Sequence, residues 1–235
     1  MINRKPLFFL FCILFLSVKV CGQKKMHVIV LGMPERTFLT NTWDKEARPL
    51  LRKMPSYSMA PCVMVRHEIK KRWHLNYGIL YSYQAQKFKM YFNSLNGHEG
   101  KTILTYLKIP LLLQFNLMNR ETTSLFIQVG PQASFLVTEE GTIVNYADIV
   151  EAGGAYKYFV MDGVVSLGGE IKICKNLYYN LQLKFDHSLY HVNNVSYEDL
   201  SKAGTRRIRD VLGHPRSGEY NMSIGLLNGI SFKIR

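Results

Sequence analysis

The chain has 235 residues, with 30 Lys and Arg against 17 Asp and Glu, for a formal net charge of +13; 47% of residues are hydrophobic and only 20% charged. That length suits one domain, or at most two, with ample surface to bury, and 13 Phe with 14 Tyr exclude a solvated disordered chain. A single apolar run, at the N-terminus, argues against a bundle of membrane-spanning helices.

Residues 1–22 read as a secretory signal peptide. Arg4 and Lys5 form the positive start, and Leu7 to Val18 form an apolar stretch broken only by Ser17. That stretch is too short for a comfortable transmembrane helix, which needs about 20 apolar residues. Val20 and Gly22 stand at the −3 and −1 positions of a cut before Gln23. The rival readings are an uncleaved anchor and a lipoprotein signal with Cys21 acylated, although Lys19 and Val20 are a poor approach to such a cysteine. Cleavage would leave 27 cations against 17 anions, a charge of +10, and only Cys62 and Cys174 as thiols. Residues 23–235 are then one domain.

The remaining chain alternates apolar and polar residues with period two, the pattern of strands with one apolar and one polar face. Met26 to Gly32 is apolar on both faces, and the strand over 56–69 is weakly patterned. Over 72–85, Trp73, Leu75, Tyr77, Ile79, Tyr81 and Tyr83 oppose His74, Asn76, Ser82 and Gln84. Over 102–117, Ile103, Leu107, Ile109, Leu111, Leu113, Phe115 and Leu117 oppose Tyr106, Lys108, Gln114 and Asn116. Over 124–137, Leu125, Ile127, Val129 and Phe135 oppose Ser124, Gln128, Gln132 and Ser134. Three further runs, 159–174, 177–190 and 220–234, alternate as strictly, Leu181, Leu183 and Phe185 opposing Gln182, Lys184 and Asp186.

Eight strands result, several far longer than the usual 5–6 residues or so of a soluble sheet and longer than the 9–11 or so that cross a bilayer. The connections alternate between long (33–55, 90–101, 138–158, 191–219) and short (70–71, 118–123, 175–176). An up-and-down membrane barrel has this alternation, with short periplasmic turns and long outer loops. Outward aromatics fall at both ends: Trp73, Phe115, Tyr179 and Phe232 near the short turns, and Tyr57, Tyr83, Phe135, Phe159 and Tyr220 near the long loops. Two such girdles mark the two membrane interfaces. The expected fold is an all-β, eight-stranded antiparallel up-and-down transmembrane β-barrel. Cys62 and Cys174 are both expected to face inward, about 15–20 Å apart in height, too far for a disulfide.

The segment Leu104-Thr-Tyr-Leu-Lys-Ile-Pro-Leu-Leu-Leu-Gln-Phe115 is similar to a "YLxIPLLxKF" strand, and Val129-Gly-Pro-Gln-Ala-Ser-Phe-Leu136 to a "GPYxxxLL" strand. Asp162-Gly-Val-Val-Ser-Leu-Gly-Gly-Glu170 is similar to "DxGLxxGxG", and the tail Ile224 to Ile234 to a closing strand. In these features the chain resembles the PorT-like outer-membrane β-barrel family of Bacteroidota, over about residues 70 to 235. The resemblance implies a barrel, a cell outer-membrane location and little chemistry. One relative in that family serves in the type IX secretion apparatus, so an accessory role in secretion is among its implications.

The motifs GxxxxGK[ST], HExxH, CxxC and GxSxG do not occur, and no catalytic, cofactor-binding or metal site is expected. A lipid A-modifying enzyme is the best catalytic alternative, on account of His187. Alternation, however, points His187 outward and Ser188 inward, so they cannot act as base and nucleophile. The inward charges Arg66, Glu68, His74, Lys108, Asp162, Glu170, Lys172, Lys184 and Asp186 read as a self-paired filling rather than as the path of a small-solute channel. The excess charge falls in two outer loops, where Arg48, Arg52, Lys53, Arg206, Arg207, Arg209 and Arg216 are the candidates for contact with anionic lipid or a partner. Outer-membrane lipid, lipopolysaccharide and an envelope protein are the expected partners. Nucleic acid is not, because the charge lies on an exported barrel. The function expected is that of a non-enzymatic structural or binding module.

Overall fold

The computed structural model describes residues 26–40, 51–54, 56–90, 98–144, 149–151, 156–190, 192 and 220–234. The expected signal peptide, residues 1–22, lies outside them. Among the described residues there are ten strands and no helix: β1 (Met26–Thr40), β2 (Leu51–Met54), β3 (Tyr57–Lys70), β4 (Trp73–Met90), β5 (His98–Asn119), β6 (Thr123–Val144), β7 (Ile149–Glu151), β8 (Phe159–Cys174), β9 (Leu177–Ser188) and β10 (Tyr220–Ile234). The eight long strands pair antiparallel in the order β1, β3, β4, β5, β6, β8, β9, β10. The last then closes on the first, from Met26 opposite Ile234 to Thr40 opposite Tyr220. The protein is a closed eight-stranded antiparallel barrel. Closure leaves no free edge, so the spans pair their backbones within the sheet, as strands in hydrocarbon must, apart from a local break in the β1–β10 ladder at Met33 and Pro34.

Side chains alternate between the two surfaces. On β9, Asn180, Gln182, Lys184, Asp186 and Ser188 are buried in the interior, while Tyr179, Leu181, Leu183 and Phe185 lie on the exposed outer wall. The outer wall carries Trp73, Tyr179 and Phe232 at the short-turn end, and Tyr57, Tyr83 and Phe159 at the other. Neighbouring girdle rings touch: Trp73 and Phe115 lie 4.8 Å apart, and Phe135 and Phe159 5.2 Å apart.

Four differences from the sequence expectations have physical causes. First, β1 runs on to Thr40 through a segment expected as loop. Pro34 disguises it. Proline cannot donate to a ladder, and the pairing with β10 skips Met33 and Pro34 while the pairing with β3 keeps both. Second, the outer ends of the hairpins are longer than expected, with β4 reaching Met90 and β6 reaching Val144. Above the membrane an outward face has no need to be apolar, so backbone pairing persists where alternation fades. Third, β1 and β3 look weakly patterned because their inner faces are apolar: Ile29, Leu31, Met33, Ala60, Cys62 and Met64 pack with Leu80, Leu112, Val164 and Leu227 in one hydrophobic cluster inside the barrel. Fourth, Cys174, expected to face inward, is exposed. It follows a register shift after Lys172 at the strand end, where the barrel rim no longer covers the inward positions. Cys62 is buried, and both thiols are free.

Candidate functional site

The interior is a packed polar lattice set against that apolar cluster. Two cross-lumen ion pairs anchor it. At the short-turn half, Arg66 of β3 reaches across to Glu170 of β8, with Nη1 at 2.5 Å from Oε2. Arg66 Nε also donates to Asn76 Oδ1 at 3.0 Å, and its guanidinium lies 5.2 Å from the ring centre of the buried Phe126. Glu170 Oε1 accepts from Asn180 Nδ2 at 2.8 Å and from Ser231 Oγ at 3.2 Å. Gly168 makes this fit: a Cβ there would lie 2.6 Å from Gln182 Cγ and 2.8 Å from Phe126 Cζ.

Nearer the long loops, Asp186 Oδ2 accepts from Lys108 Nζ at 2.9 Å, Lys184 Nζ at 3.0 Å and Gln132 Nε2 at 3.1 Å. Its other oxygen accepts from Ser223. Lys184 also donates to Gln132 Oε1 at 3.0 Å. Gln132 and Ser134 in turn donate to Asp162 at 2.9 and 2.5 Å. The two lysines and two aspartates balance, as do Arg66 and Glu170. Burial of such charges is tolerated only with this pairing, because an unpaired ion in a low-dielectric interior costs several kcal/mol. Among Cys62, Leu80, Gln128 and Lys184 a cavity of about 10 Å³ remains, room for one water at most.

Of the nine charged or titratable residues expected in the lumen, Arg66, Lys108, Asp162, Glu170, Lys184 and Asp186 are buried there. Glu68 and His74 are half-buried, and Lys172 is exposed at the short-turn rim, for the same reason as Cys174. The sequence reading missed Glu35, which is 2% exposed and accepts from Ser58 and Ser82 at 3.3 and 2.5 Å. The signal was present in the alternation of Leu31, Met33, Glu35 and Thr37 against Pro34 and Arg36, but a proline beside two charges reads as a turn.

His187 and Ser188 diverge as alternation requires. His187 stacks on Tyr220 with ring centres 5.6 Å apart, while Ser188 is fully buried and accepts the backbone N–H of Asn221 at 2.8 Å. Of the candidate loop cations, Arg48, Arg206, Arg207, Arg209 and Arg216 lie outside the described residues. Arg52 and Lys53 lie on β2, which pairs with the outer end of β4 so that Arg52 stands opposite Lys89 and Lys53 opposite Phe88. Lys87 is in turn opposite Lys101 of β5. Register therefore brings five cations onto three adjacent strands at the outer end, with Glu99 of β5 opposite Lys89.

The family model for the outer membrane protein beta-barrel domain matches residues 39–194. The chain belongs to that family. As an outer-membrane barrel it is placed in the outer membrane, and the family model points to no enzymatic family. It is the general model for such barrels and does not single out PorT-like proteins. Among solved structures, OprG from Pseudomonas aeruginosa is similar at 9% identity, covering 90% of this chain and 96% of that one, with a TM-score of 0.52. Neisserial surface protein A shares 8% identity over 89% of this chain and 97% of its own, with a TM-score of 0.44. Ail, the attachment invasion locus protein of Yersinia pestis, shares 8% identity over 89% of this chain and 99% of its own, also at 0.44. At these identities the likeness speaks to the fold alone. No curated protein matches the chain.

Proposed function

We propose that this outer-membrane barrel is a non-enzymatic structural or binding module, exported by a signal cleaved after residue 22. Its basic outer parts engage anionic lipid, lipopolysaccharide above all, or an envelope protein. The observation that carries this reading is the filled interior, where Lys108 of β5 reaches Asp186 of β9, which also pairs with Lys184 of its own strand, and Arg66 reaches Glu170 across the lumen. Such a filling argues against a small-solute channel and leaves the outer surface for function. The excess of Arg52, Lys53, Lys87, Lys89 and Lys101 over Glu99 at the outer end of β2, β4 and β5 favours an anionic partner. An accessory role in a type IX-like secretion apparatus is the narrower form, supported by the resemblance to PorT-like strands.

The reconstituted barrel is expected to give no discrete conductance steps in planar bilayers, and steady steps would overturn the reading in favour of a channel. Neutralising Arg52, Lys53, Arg206, Arg207, Arg209 and Arg216 to Gln is expected to weaken capture on lipopolysaccharide-coated beads, with the remaining capture less salt-sensitive. Unchanged capture would remove the lipid half of the proposal and leave the envelope protein, to be sought by pull-down of the solubilised barrel.

A further inference from the structure

The seam between the first and last strands carries a groove on the outer wall. Its origin is local. The β1–β10 ladder runs unbroken to Gly32 opposite Asn228 and resumes at Glu35 opposite Gly225, so two rungs are lost beside Pro34. Over that break lies an open groove of about 250 Å³, lined by Pro34, Glu35, Arg36, Tyr57, Leu183, Ile224, Gly225 and Leu226. Six of the eight stand on the outward parity of their strands, and the other two, Glu35 and Gly225, are buried beneath them, with Glu35 Oε1 turned to Ser58 and Ser82, so the groove opens to the bilayer.

Height decides what meets it. Val28 pairs with Phe232 of the short-turn girdle, and Arg36 lies eight residues farther up the same strand. At about 3.3 Å per residue and a tilt of about 40°, Arg36 stands roughly 20 Å above that girdle, near the far edge of an apolar band about 25 Å tall. Tyr57, directly opposite Arg36, is 75% exposed at the same level. Arg36 is exposed, and its guanidinium lies over the Phe38 ring at 5.0 Å, which carries it toward the long-loop side. A cation on the lipid face at this edge meets phosphates, and the trough below it meets hydrocarbon.

We infer that the groove binds one phosphorylated lipid of the outer leaflet, with its phosphate on Arg36 and an acyl chain along Pro34, Leu183, Ile224 and Leu226. The inference shares the anionic-lipid chemistry of the proposed function but rests on the wall, not on the basic loops. Native mass spectrometry of the detergent-purified barrel with bisphosphorylated lipid A tests it, using wild type, R36Q, the groove-filling I224W and a loop variant, R206Q/R207Q/R209Q. Wild type should retain lipid, and the loop variant, stripped of the loop contribution, should still retain one. R36Q should bind about tenfold more weakly, the scale of one charge-assisted contact, and I224W should lose the bound lipid. Dephosphorylated lipid A should bind wild type and R36Q alike. Retention by R36Q and I224W equal to wild type would overturn the site, and so would loss confined to the loop variant. Heat-dependent gel mobility of each variant verifies that the barrel is intact, and the two wall substitutions touch no lumenal partner.

Discussion

Arg66 and Glu35 present opposite cases of a buried charge. Arg66 is held by Glu170 at 2.5 Å, whereas no ion pair among the described residues holds Glu35, whose Oε1 accepts from two serines. Removing one member of a buried pair leaves the other uncompensated, at a cost of about 3–5 kcal/mol. Glu170→Gln is therefore expected to lower the urea stability of the folded barrel by about that amount. Glu35→Gln keeps an acceptor for Ser58 and Ser82 and removes a charge held in no direct ion pair among the described residues, so it is expected to cost less than Glu170→Gln. A Glu35→Gln loss as large as that of Glu170→Gln would contradict this assignment. The inward position of Glu170 is legible from alternation alone, since Glu170 and Lys172 oppose Ile171 and Ile173. Its partner is not legible, because Arg66 lies on a strand across the lumen, and only barrel curvature brings the two together.

At the scale of the strands, the β1–β10 seam is where the barrel closes, and two glycines there have opposite surroundings. A Cβ on Gly229 would lie 2.0 Å from the carbonyl oxygen of Val30, a backbone atom that cannot swing aside, whereas one on Gly32 meets nothing within 4 Å. Gly229→Ala is expected to destabilise the barrel by about 1–3 kcal/mol or more through overpacking. Gly32→Ala is expected to be neutral, or to stabilise by about 0.5–1 kcal/mol by restricting the unfolded chain. Urea midpoints from the heat-dependent gel shift would show the difference. Sequence periodicity located all eight strands, but it ended β4 and β6 several residues early at the outer side and cut β1 short at Gly32. The cause in β1 is the competition at Pro34 between a lost ladder bond on one side and a retained ladder on the other. Proline punctuation is a local signal, and it cannot report that a neighbouring strand supplies the missing support.

For the molecule as a whole, closure separates a sealed interior from a lipid-facing wall, and the two thiols sample both. Cys62 is 2% exposed within the lumen, and Cys174 stands exposed at the short-turn rim. A polar maleimide is expected to label Cys174 but not Cys62 in the folded barrel, and both after boiling in detergent. Two labels without denaturation would mean a water-filled lumen and would also reopen the channel reading. The near-zero mean hydropathy of −0.05 now has a structural meaning. It averages an apolar outer wall with a polar interior and polar ends, the reverse of a soluble protein.

The amino-acid sequence by itself determined the class: eight long alternating strands with alternating loop lengths admit a membrane barrel and little else, because period-two burial is a property of each strand alone. The same local logic separated His187 from Ser188 and placed six lumenal charges. Only the tertiary structure decided which charges pair, that the inner faces of β1 and β3 join one apolar cluster, and that a lost pair of rungs beside Pro34 opens a groove beneath Arg36. Those outcomes depend on which strands closure makes neighbours and which it sets across the lumen, a long-range relation that no pattern within a single strand encodes.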